Sequence, residues 1–245
     1  MSKTIILIPS RLSATRLPRK PLLKINGISI ISHVVKKAKE ADIGDVYVAT
    51  EDKEIIDDVN LNGGKAVLTS NKHKTGTDRI YECFEKLDLK DIKYIINLQG
   101  DEPDIDINDL KHLNRLVEIN KSEIGTLASE IDFKSKLNNE NIVKVITDCK
   151  ITDKNFPIAL DFKRKVDNLN INIYHHLGVY AYKPDVLKKI IKYEQTINEV
   201  KNRLEQLRAM ENGIKINVAL AKFCSKGIDT MEDYLALKKI LEYKS

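Results

Sequence analysis

The sequence predicts an α/β fold with a mixed, mostly parallel sheet flanked by helices, and two observations lead to this class. Strand-like and helix-like segments alternate with short connections from residue 4 to residue 120, which is the βαβ order of a doubly wound sheet. The first strand-like segment, residues 5–8, is continuously apolar, as expected for a parallel strand covered on both faces. No internal repeat and no Pro- or Ser-rich linker interrupts the chain, so we expect a single domain over residues 1–245.

The individual elements follow from hydrophobic periodicity and from the turn residues between apolar segments. Strands are predicted at residues 4–9, 45–50, 65–69, 93–99, 125–131, 142–147, 173–182 and 215–221. Helices are predicted at residues 28–40, 53–61, 78–87, 107–120, 184–192 and 196–211, and from 230 onward. On the helix at 196–211, the apolar side chains at 197, 200, 204, 207 and 210 are expected to form one buried stripe.

The middle of the chain differs in character from the rest. Its strands are longer, and a polar stretch at residues 150–172 separates them, as in a lid, a subdomain or a dimer contact. We therefore expect residues 125–185 to form an elaboration that serves substrate binding and dimerisation.

The charge of the chain excludes some classes of partner. Its 41 Lys and Arg residues stand against 36 Asp and Glu residues, for a net charge of +5, and both signs are mixed along the whole length. Such a distribution has no basic tail for nucleic acid and fits an anionic small molecule better. At 245 residues the chain is long enough to bury a sizeable core.

Cysteines and apolar runs bear on the compartment. Cys83, Cys149 and Cys224 are isolated, with no metal-ligand or Cys-x-x-Cys spacing, so we expect all three to be packing residues in a reducing environment. No apolar run reaches the roughly 20 residues of a membrane span, and no signal peptide is recognisable. A soluble cytoplasmic protein is expected.

A loop rich in cations follows the first strand. Arg11, Arg16, Arg19 and Lys20 all lie within eleven residues of its end. Ligands of open α/β sheets bind beyond the carboxyl ends of the strands, so these cations are placed for a polyanion. The loop has neither the phosphate cradle of P-loop kinases nor the glycine turn of Rossmann dehydrogenases, so side-chain charge, with a few backbone amides, must hold any phosphate.

Asp101 is the first candidate metal ligand. It lies in the segment QGDEP at 99–103, directly after an apolar strand, where Gly100 permits close backbone approach. A strand-end Asp can hold Mg²⁺, which proteins usually bind through one or two carboxylates plus substrate phosphates. The alternative, about equally supported by this segment alone, is that Asp101 and Glu102 shape a loop or cap the next helix.

Asp229 is the best candidate for a second carboxylate. It lies between the last predicted strand and the last predicted helix. Position alone favours a helix cap for it, since Thr230 followed by Asp233 fits an acidic variant of the capping box.

Several segments resemble, in order and spacing, the signature of the 3-deoxy-manno-octulosonate cytidylyltransferase family, also called CMP-Kdo synthetases. They are IPSR at 8–11, SATRLP at 13–18, KPL at 20–22, TGTDR at 75–79, QGDEP at 99–103, HLGVYAY at 176–182, LEQLRAMENG at 204–213 and GIDT at 227–230. The resemblance implies a nucleotidyltransferase-type, Rossmann-like fold and a homodimer. It implies coupling of CTP to an eight-carbon 2-keto sugar acid, with release of pyrophosphate.

The resemblance also implies roles for single residues. By similarity, Lys20, Asp101 and Asp229 are catalytic, and the two carboxylates hold Mg²⁺. The nucleotide would be bound by Ser10, Arg11, Arg16, Lys20, Thr75, Gly76 and Arg79. The sugar acid would be bound by Gln99, His176, Tyr180, Glu205 and Gln206. Without the resemblance, the residues alone favour a core position for His176. Glu205 and Arg208, three positions apart, would then form a surface ion pair.

Two departures from the family pattern stand out. Arg19 occupies a position where the family typically has Gly. The family's Phe-Ser-Arg segment is replaced by residues 155–160, which lack the arginine expected near the sugar acid, and Arg164 or Lys163 is the expected substitute.

Three functional classes follow. The first is cytidylyl transfer to 3-deoxy-manno-octulosonate, for lipopolysaccharide synthesis. The second is the same chemistry on another 2-keto sugar acid, such as the 8-amino analogue or a nonulosonate. The third is a nonenzymatic nucleotide-binding protein.

Overall fold

The structure, a computed structural model, describes residues 3–13, 16–131, 139–166, 172–224 and 227–243. Ala14 and Thr15 of the SATRLP segment, and residues 167–171 of the polar stretch, lie outside the described residues. The chain divides into two compact units, residues 1–107 with 225–245, and residues 108–224. The expectation of a single domain stays a prediction.

The first unit is built on a parallel sheet. Strand β1 pairs in parallel with β4 and β6, and β4 pairs in parallel with β5, while β2 and β3 form a small antiparallel ribbon. The bounds are β1 Thr4–Ser10, β2 Lys24–Ile25, β3 Ile28–Ser29, β4 Gly44–Thr50, β5 Ala66–Leu68 and β6 Tyr94–Asn97. Six of the seven residues of β1 are buried, which confirms the prediction drawn from its continuous apolar run.

The second unit contains a mixed sheet. Strand β11 is parallel to β7, β10 is antiparallel to β7 and β8, and β9 is antiparallel to β8. The bounds are β7 Ile124–Ser129, β8 Lys144–Thr147, β9 Ala159–Lys163, β10 Ile173–Tyr182 and β11 Ile216–Leu220. Strand β9 was not predicted, because its polar residues hid the pattern within a polar stretch. The predicted fold class is confirmed.

Eight α-helices of the described residues accompany the strands, together with a short 3-10 helix at Lys20–Leu22. They are α1 Ile30–Glu40, α2 Lys53–Leu61, α3 Gly76–Leu87, α4 Ile107–Asn120, α5 Pro184–Ile190, α6 Ile197–Asn202, α7 Gln206–Glu211 and α8 Met231–Tyr243. Helix α1 begins two residues later than predicted because Ser29 caps it, accepting a hydrogen bond from the Ser32 amide. None of the described helices has both the length and the apolar character that a membrane span requires.

The prediction of one helix over residues 196–211 is wrong. Arg203, with φ 54°, adopts the left-handed conformation and ends α6, and α7 starts only at Gln206. The break changes the direction in which the predicted stripe faces. Ile197 is 86% exposed and Val200 is 59% exposed, whereas Leu204 and Leu207 are buried as predicted.

The three cysteines occupy different environments. Cys83 is buried, and burial raises the pKa of its thiol to about 12, as suits a packing residue. The packing prediction is wrong for Cys149, which is exposed in the turn that follows β8. Cys224 is partly buried, and its Sγ lies 2.9 Å from Nδ1 of His175.

Candidate active site

The two predicted metal ligands and the predicted triphosphate lysine lie together in the first unit. Nζ of Lys20 donates to Oδ2 of Asp101 at 2.6 Å and to the carbonyl oxygen of Ile228 at 2.6 Å. The same ammonium group lies 3.4 Å from Oδ1 of Asp229. We call Lys20, Asp101 and Asp229 the Lys20 cluster.

Close backbone packing places Asp101 in this cluster. At Gly100, a Cβ atom would lie 2.9 Å from the carbonyl oxygen of Pro9 and 3.2 Å from Cδ1 of Ile31, so the turn after β6 needs a glycine to approach the end of β1. The amide of Ile228 then donates to the carbonyl oxygen of Asp101 at 3.0 Å. This bond joins the turn to the segment that carries Asp229.

An apolar cluster anchors the rest of the site. Leu17, Ile25, Ile30, Ile228, Tyr234 and Leu237 pack together as buried residues. They belong to the cation-rich loop, to the elements that follow it, and to the C-terminal segment with α8. The packing therefore fixes the backbone on both sides of Lys20 and next to Asp229.

The helix cap that competed with a metal role for Asp229 is made by its neighbour. Oγ1 of Thr230 accepts from the Asp233 amide at 3.2 Å, and Oδ2 of Asp233 accepts from the Thr230 amide at 2.9 Å. The side chain of Asp229 instead lies 3.0 Å from Nη2 of Arg16 and also faces Lys20. Its carboxylate is therefore available for an interaction outside α8.

The oxygen atoms around Lys20 fit the chemistry of a magnesium site. Two carboxylates and the carbonyl oxygen of Ile228 approach one ammonium group, and hard oxygen ligands are those that Mg²⁺ prefers. Within the described ranges, no group of three or more His, Cys, Asp or Glu side chains could hold a metal by itself. Asp101 and Asp229 would thus need oxygens from a bound phosphate to complete a coordination shell.

Ser10 and Arg11 lie at the carboxyl end of β1. The Ser10 side chain is buried, and its Oγ has no hydrogen-bond partner among the described residues. Arg11 is exposed, as are most atoms of the Arg16 side chain. A buried hydroxyl without a partner is costly, so Oγ of Ser10 requires a water molecule or a ligand atom.

The segment of Thr75, Gly76 and Arg79 approaches the same strand end. Thr75 caps α3 by accepting from the Asp78 amide at 3.2 Å, and a Cβ atom at Gly76 would lie 3.4 Å from Cγ of Pro9. Arg79 is buried, and its guanidinium group binds Glu51 and, at 2.8 Å, Oγ1 of Thr69. Because Glu51 neutralises this charge, the observed role of Arg79 is to hold α3 to the segments that carry Glu51 and Thr69. Direct contact of Arg79 with a nucleotide stays a prediction.

Of the residues predicted for the sugar acid, Gln99 lies in the first unit, half-buried in the turn before Asp101. The other four belong to the second unit. His176 and Tyr180 lie on β10, Glu205 is exposed immediately before α7, and Gln206 is the first residue of that helix.

His176 is a buried, neutral histidine. Oγ1 of Thr126 donates to the carbonyl oxygen of Val179 at 2.7 Å, so Nε2 of His176, 3.0 Å away, carries the proton and donates to Oγ1. Burial, followed by the charge of His175, lowers the pKa of His176 to about 3. This bond satisfies one ring nitrogen, so the interpretation as a core histidine stays open.

Tyr180 carries a stronger sign of a ligand. Its ring centroid lies 5.3 Å from that of His176, and Phe162 packs edge-on against the same imidazole. The Tyr180 hydroxyl is buried and has no hydrogen-bond partner among the described residues. Burial raises the pKa of Tyr180 well above its usual value, so the group remains a neutral donor.

The alternative interpretation of Arg208 as part of a surface ion pair is wrong. Arg208 is 3% exposed, and its Nε donates to Oε2 of Glu199 at 2.8 Å, across the break between α6 and α7.

Sequence reasoning missed Glu199, because the predicted continuous helix placed it on a solvated face. It missed Thr126 as well, for which no signal was available. Asp52, whose Oδ2 accepts from the Leu12 amide at 2.7 Å, could have been found from its position after β4.

The structure accounts for one departure from the family pattern. Arg19 has φ 57°, in the left-handed region that favours glycine, and its exposed guanidinium group donates to Glu54 at 3.2 Å. The other departure is not compensated by the expected residues. Arg164 donates to the carbonyl oxygens of Asn202 at 2.7 Å, Glu140 at 2.9 Å and Arg203 at 3.2 Å, and Lys163 pairs with Asp161 at 3.0 Å.

Comparisons with known proteins place this geometry in a family. The family model described as "Cytidylyltransferase" matches residues 5–216. The 3-deoxy-manno-octulosonate cytidylyltransferase of Thermodesulfovibrio yellowstonii is 41% identical, over 97% of this chain and 98% of the relative. The protein of the same name from Rhodopseudomonas palustris is 37% identical, over 99% of each chain.

Solved structures agree with the sequence relatives. A CMP:2-keto-3-deoxy-manno-octonic acid synthetase in complex with CTP superposes with a TM-score of 0.90, at 32% identity over 100% of both chains. A UDP-glucose pyrophosphorylase in complex with UDP-glucose superposes with a TM-score of 0.72 at 18% identity, which shows the fold alone. The chain therefore belongs to the 3-deoxy-manno-octulosonate cytidylyltransferase family.

Proposed function

We propose that this protein transfers the cytidylyl group of CTP to 3-deoxy-manno-octulosonate, giving CMP-3-deoxy-manno-octulosonate and pyrophosphate, for lipopolysaccharide synthesis. The observation that carries the proposal is the Lys20 cluster, in which one lysine contacts the carboxylates of both Asp101 and Asp229. The relative of known structure that was solved with CTP supports the choice of nucleotide.

The cations of the loop after β1 have a clear task in this reaction. Transfer of a nucleotidyl group moves negative charge onto the departing pyrophosphate, and catalysis depends mainly on positioning and on neutralising that charge. Lys20 is held by its contacts with Asp101 and Ile228, so it is oriented before a substrate binds. Arg11 and Arg16, both exposed, can add attraction for the triphosphate without strict orientation.

Asp101 and Asp229 would hold Mg²⁺ together with phosphate oxygens of CTP. A bound Mg²⁺ ion supplies charge neutralisation at the phosphates and lowers the pKa of a nearby hydroxyl group. With Lys20 partly balancing the two carboxylates, the site carries little excess charge before the nucleotide arrives.

The chemical step is an in-line displacement. The C2 hydroxyl oxygen of the sugar acid forms a bond to the α-phosphorus, the bond from that phosphorus to the bridging oxygen of the β-phosphate breaks, and pyrophosphate leaves with the electron pair. The hydroxyl proton passes to solvent. His176 is a poor candidate for a general base, because its pKa of about 3 and its bond to Thr126 leave it with little basicity.

The second unit supports a buried polar ligand through Tyr180. Its hydroxyl is a neutral donor that needs an acceptor, and a sugar hydroxyl or carboxylate would provide one. The arginine that the family has near the sugar acid is missing, and Arg164 and Lys163, the expected substitutes, bind other groups, so neither of them replaces it there to select the acid. The 8-amino analogue or a nonulosonate is therefore the second candidate acceptor. A cytoplasmic location and a homodimer are also proposed, on the family resemblance alone.

A pyrophosphate-release assay tests the proposal. The protein is incubated with CTP, Mg²⁺ and, in separate reactions, 3-deoxy-manno-octulosonate, its 8-amino analogue or a nonulosonate. We expect the highest kcat/KM with 3-deoxy-manno-octulosonate. A clear preference for another acid would move the proposal to that acid, and no release with any acid would leave only a nucleotide-binding protein.

A further inference from the structure

A cavity of about 390 Å³ lies in the second unit, and none of the side chains assigned to the sugar acid lines it. The first two turns of α4, the end of β11 with the residues after it, and the loop before β9 line it. Its lining residues are Asn108, Asp109, Lys111, His112, Arg115, Asp153, Leu220 and Lys222. None of them has a role in the function proposed above.

Positive charge in this cavity is not neutralised by ion pairs. Lys111, Arg115 and Lys222 all contribute to the lining, and among the described residues none of the three has a carboxylate partner within 4.0 Å. Both oxygens of Asp109 are engaged, since they accept from the backbone amides of Lys222 at 3.0 Å and Phe223 at 3.2 Å. Asp153 is the other carboxylate of the lining.

His112 presents a hydrogen-bond donor in the same place. Arg115 can only donate, so its Nη2, 3.3 Å from Nδ1 of His112, makes Nδ1 the acceptor. The proton of the neutral ring is therefore on Nε2. That atom is buried, and no acceptor for it exists among the described residues.

We propose that this cavity is a binding site for a small oxyanion of the phosphate class. An oxyanion would accept from Nε2 of His112 and be attracted by Lys111, Arg115 and Lys222, which satisfies the donor and balances the charge in one step. Among the described residues, no Phe, Tyr or Trp side chain lines the cavity, so a stacking platform of the kind that favours a nucleotide base is not part of this lining. The ligand class is thus phosphate, pyrophosphate or a small phosphomonoester.

Burial and the surrounding charges agree with this assignment. Burial first, and then the charge of Arg115, lower the pKa of His112, so the ring stays neutral and keeps its donor at neutral pH. The charged groups that act on His112 are Arg115, Asp153, Asp109 and Lys222.

The test is NMR spectroscopy of the intact protein labelled with ¹⁵N at histidine, which records the imidazole nitrogen signals at pH 7 and without divalent metal. The chain has five histidines, and the His112→Asn variant identifies the His112 signals. Inorganic phosphate, pyrophosphate and glycerol 3-phosphate are titrated separately, which distinguishes the sources of the oxyanion. We expect a saturable shift of the Nε2 signal of His112 with at least one of them.

Variants separate a site from general charge effects. Arg115→Gln and Lys222→Gln are expected to weaken the binding about tenfold, whereas Lys189→Gln, at an exposed lysine of α5, leaves it unchanged. The response should persist in Lys20→Ala, since it does not depend on the Lys20 cluster. A shift that rises linearly and is matched by chloride at equal ionic strength would overturn the proposal. So would equal binding by the Arg115→Gln and Lys189→Gln variants.

Discussion

The buried ion pair of Glu199 and Arg208 allows a sharp test of what holds α6 to α7. Glu199 is 2% exposed and Arg208 is 3% exposed. The Glu199 carboxylate accepts from Nε of Arg208 at 2.8 Å and from two further donors, Nε2 of Gln195 and the Thr196 amide, each at 3.2 Å. The perturbation is Arg208→Met, which keeps much of the side-chain volume and removes the cation.

The expected cost is large because the pair is shielded from water. Removing one partner of a buried ion pair leaves an uncompensated charge and typically costs about 3–5 kcal/mol of unfolding free energy. The bonds from Gln195 and Thr196 remain, so we expect a value near the lower end of that range. The double variant Glu199→Gln with Arg208→Met buries no charge and should recover much of the loss.

The pH dependence has a definite sign. Burial is the largest single effect and raises the pKa of Glu199, but the hydrogen bonds from Arg208, Gln195 and the Thr196 amide, together with the charge of Arg208, outweigh it and hold the pKa below the ordinary 4.5. A lowered pKa in the folded protein contributes stability above pH 4.5, which is lost as the pH falls through the folded value. In Arg208→Met the burial effect is no longer opposed by the cation, so the penalty is greatest at neutral pH and shrinks on acidification.

Urea denaturation followed by circular dichroism at pH 7 and near pH 4 measures these changes. Lys65→Met is the matched control, because Lys65 pairs with Asp45 at 3.0 Å on the surface. Glu205 and Gln206 lie between Arg203, where α6 ends, and Arg208. In Arg208→Met, the KM for the sugar acid should therefore rise more than the KM for CTP. Equal denaturation midpoints for Arg208→Met and Lys65→Met would refute the reasoning.

Three further predictions concern the Lys20 cluster and its substrate. Asp101→Asn and Asp229→Asn should each abolish most turnover while the fold persists, because the charge that would hold Mg²⁺ is lost. Since Thr230 caps α8, near-wild-type turnover in Asp229→Asn would leave that residue without a catalytic role. Lys20→Ala should lower kcat at saturating CTP by at least about 100-fold. Arg19→Gly should change kcat little, because Arg19 pairs with Glu54 and has a φ that glycine adopts freely; equal losses in the two variants would mean that the triphosphate contact is misplaced. Finally, kcat/KM should strongly favour CTP over ATP and GTP, since a pocket that hydrogen-bonds one base leaves polar groups unpaired with another; comparable values for ATP and CTP would contradict this.

Much of the local structure followed from the order of residues. Helices at 53–61 and 107–120 and the strand at 173–182 have the predicted bounds, because their hydrophobic periodicity and turn residues act within a few positions of each other. The placement of Lys20 and Asp101 after adjacent strands was likewise foreseeable, since the carboxyl ends of parallel strands share one edge of the sheet.

The partners of individual charged side chains could not be predicted from local sequence patterns. From the sequence, a helix cap was an alternative for Asp229, but Thr230 makes the cap. A surface ion pair was an alternative for Arg208, but the break at Arg203 directs its side chain to Glu199. Lys20 bonds Asp101 across 81 positions of sequence and contacts Asp229 across 209. Which side chain meets which over such separations depends on strand register and on the ends of helices, and these are settled by packing of the whole core, whereas periodicity and turn chemistry act locally along the chain.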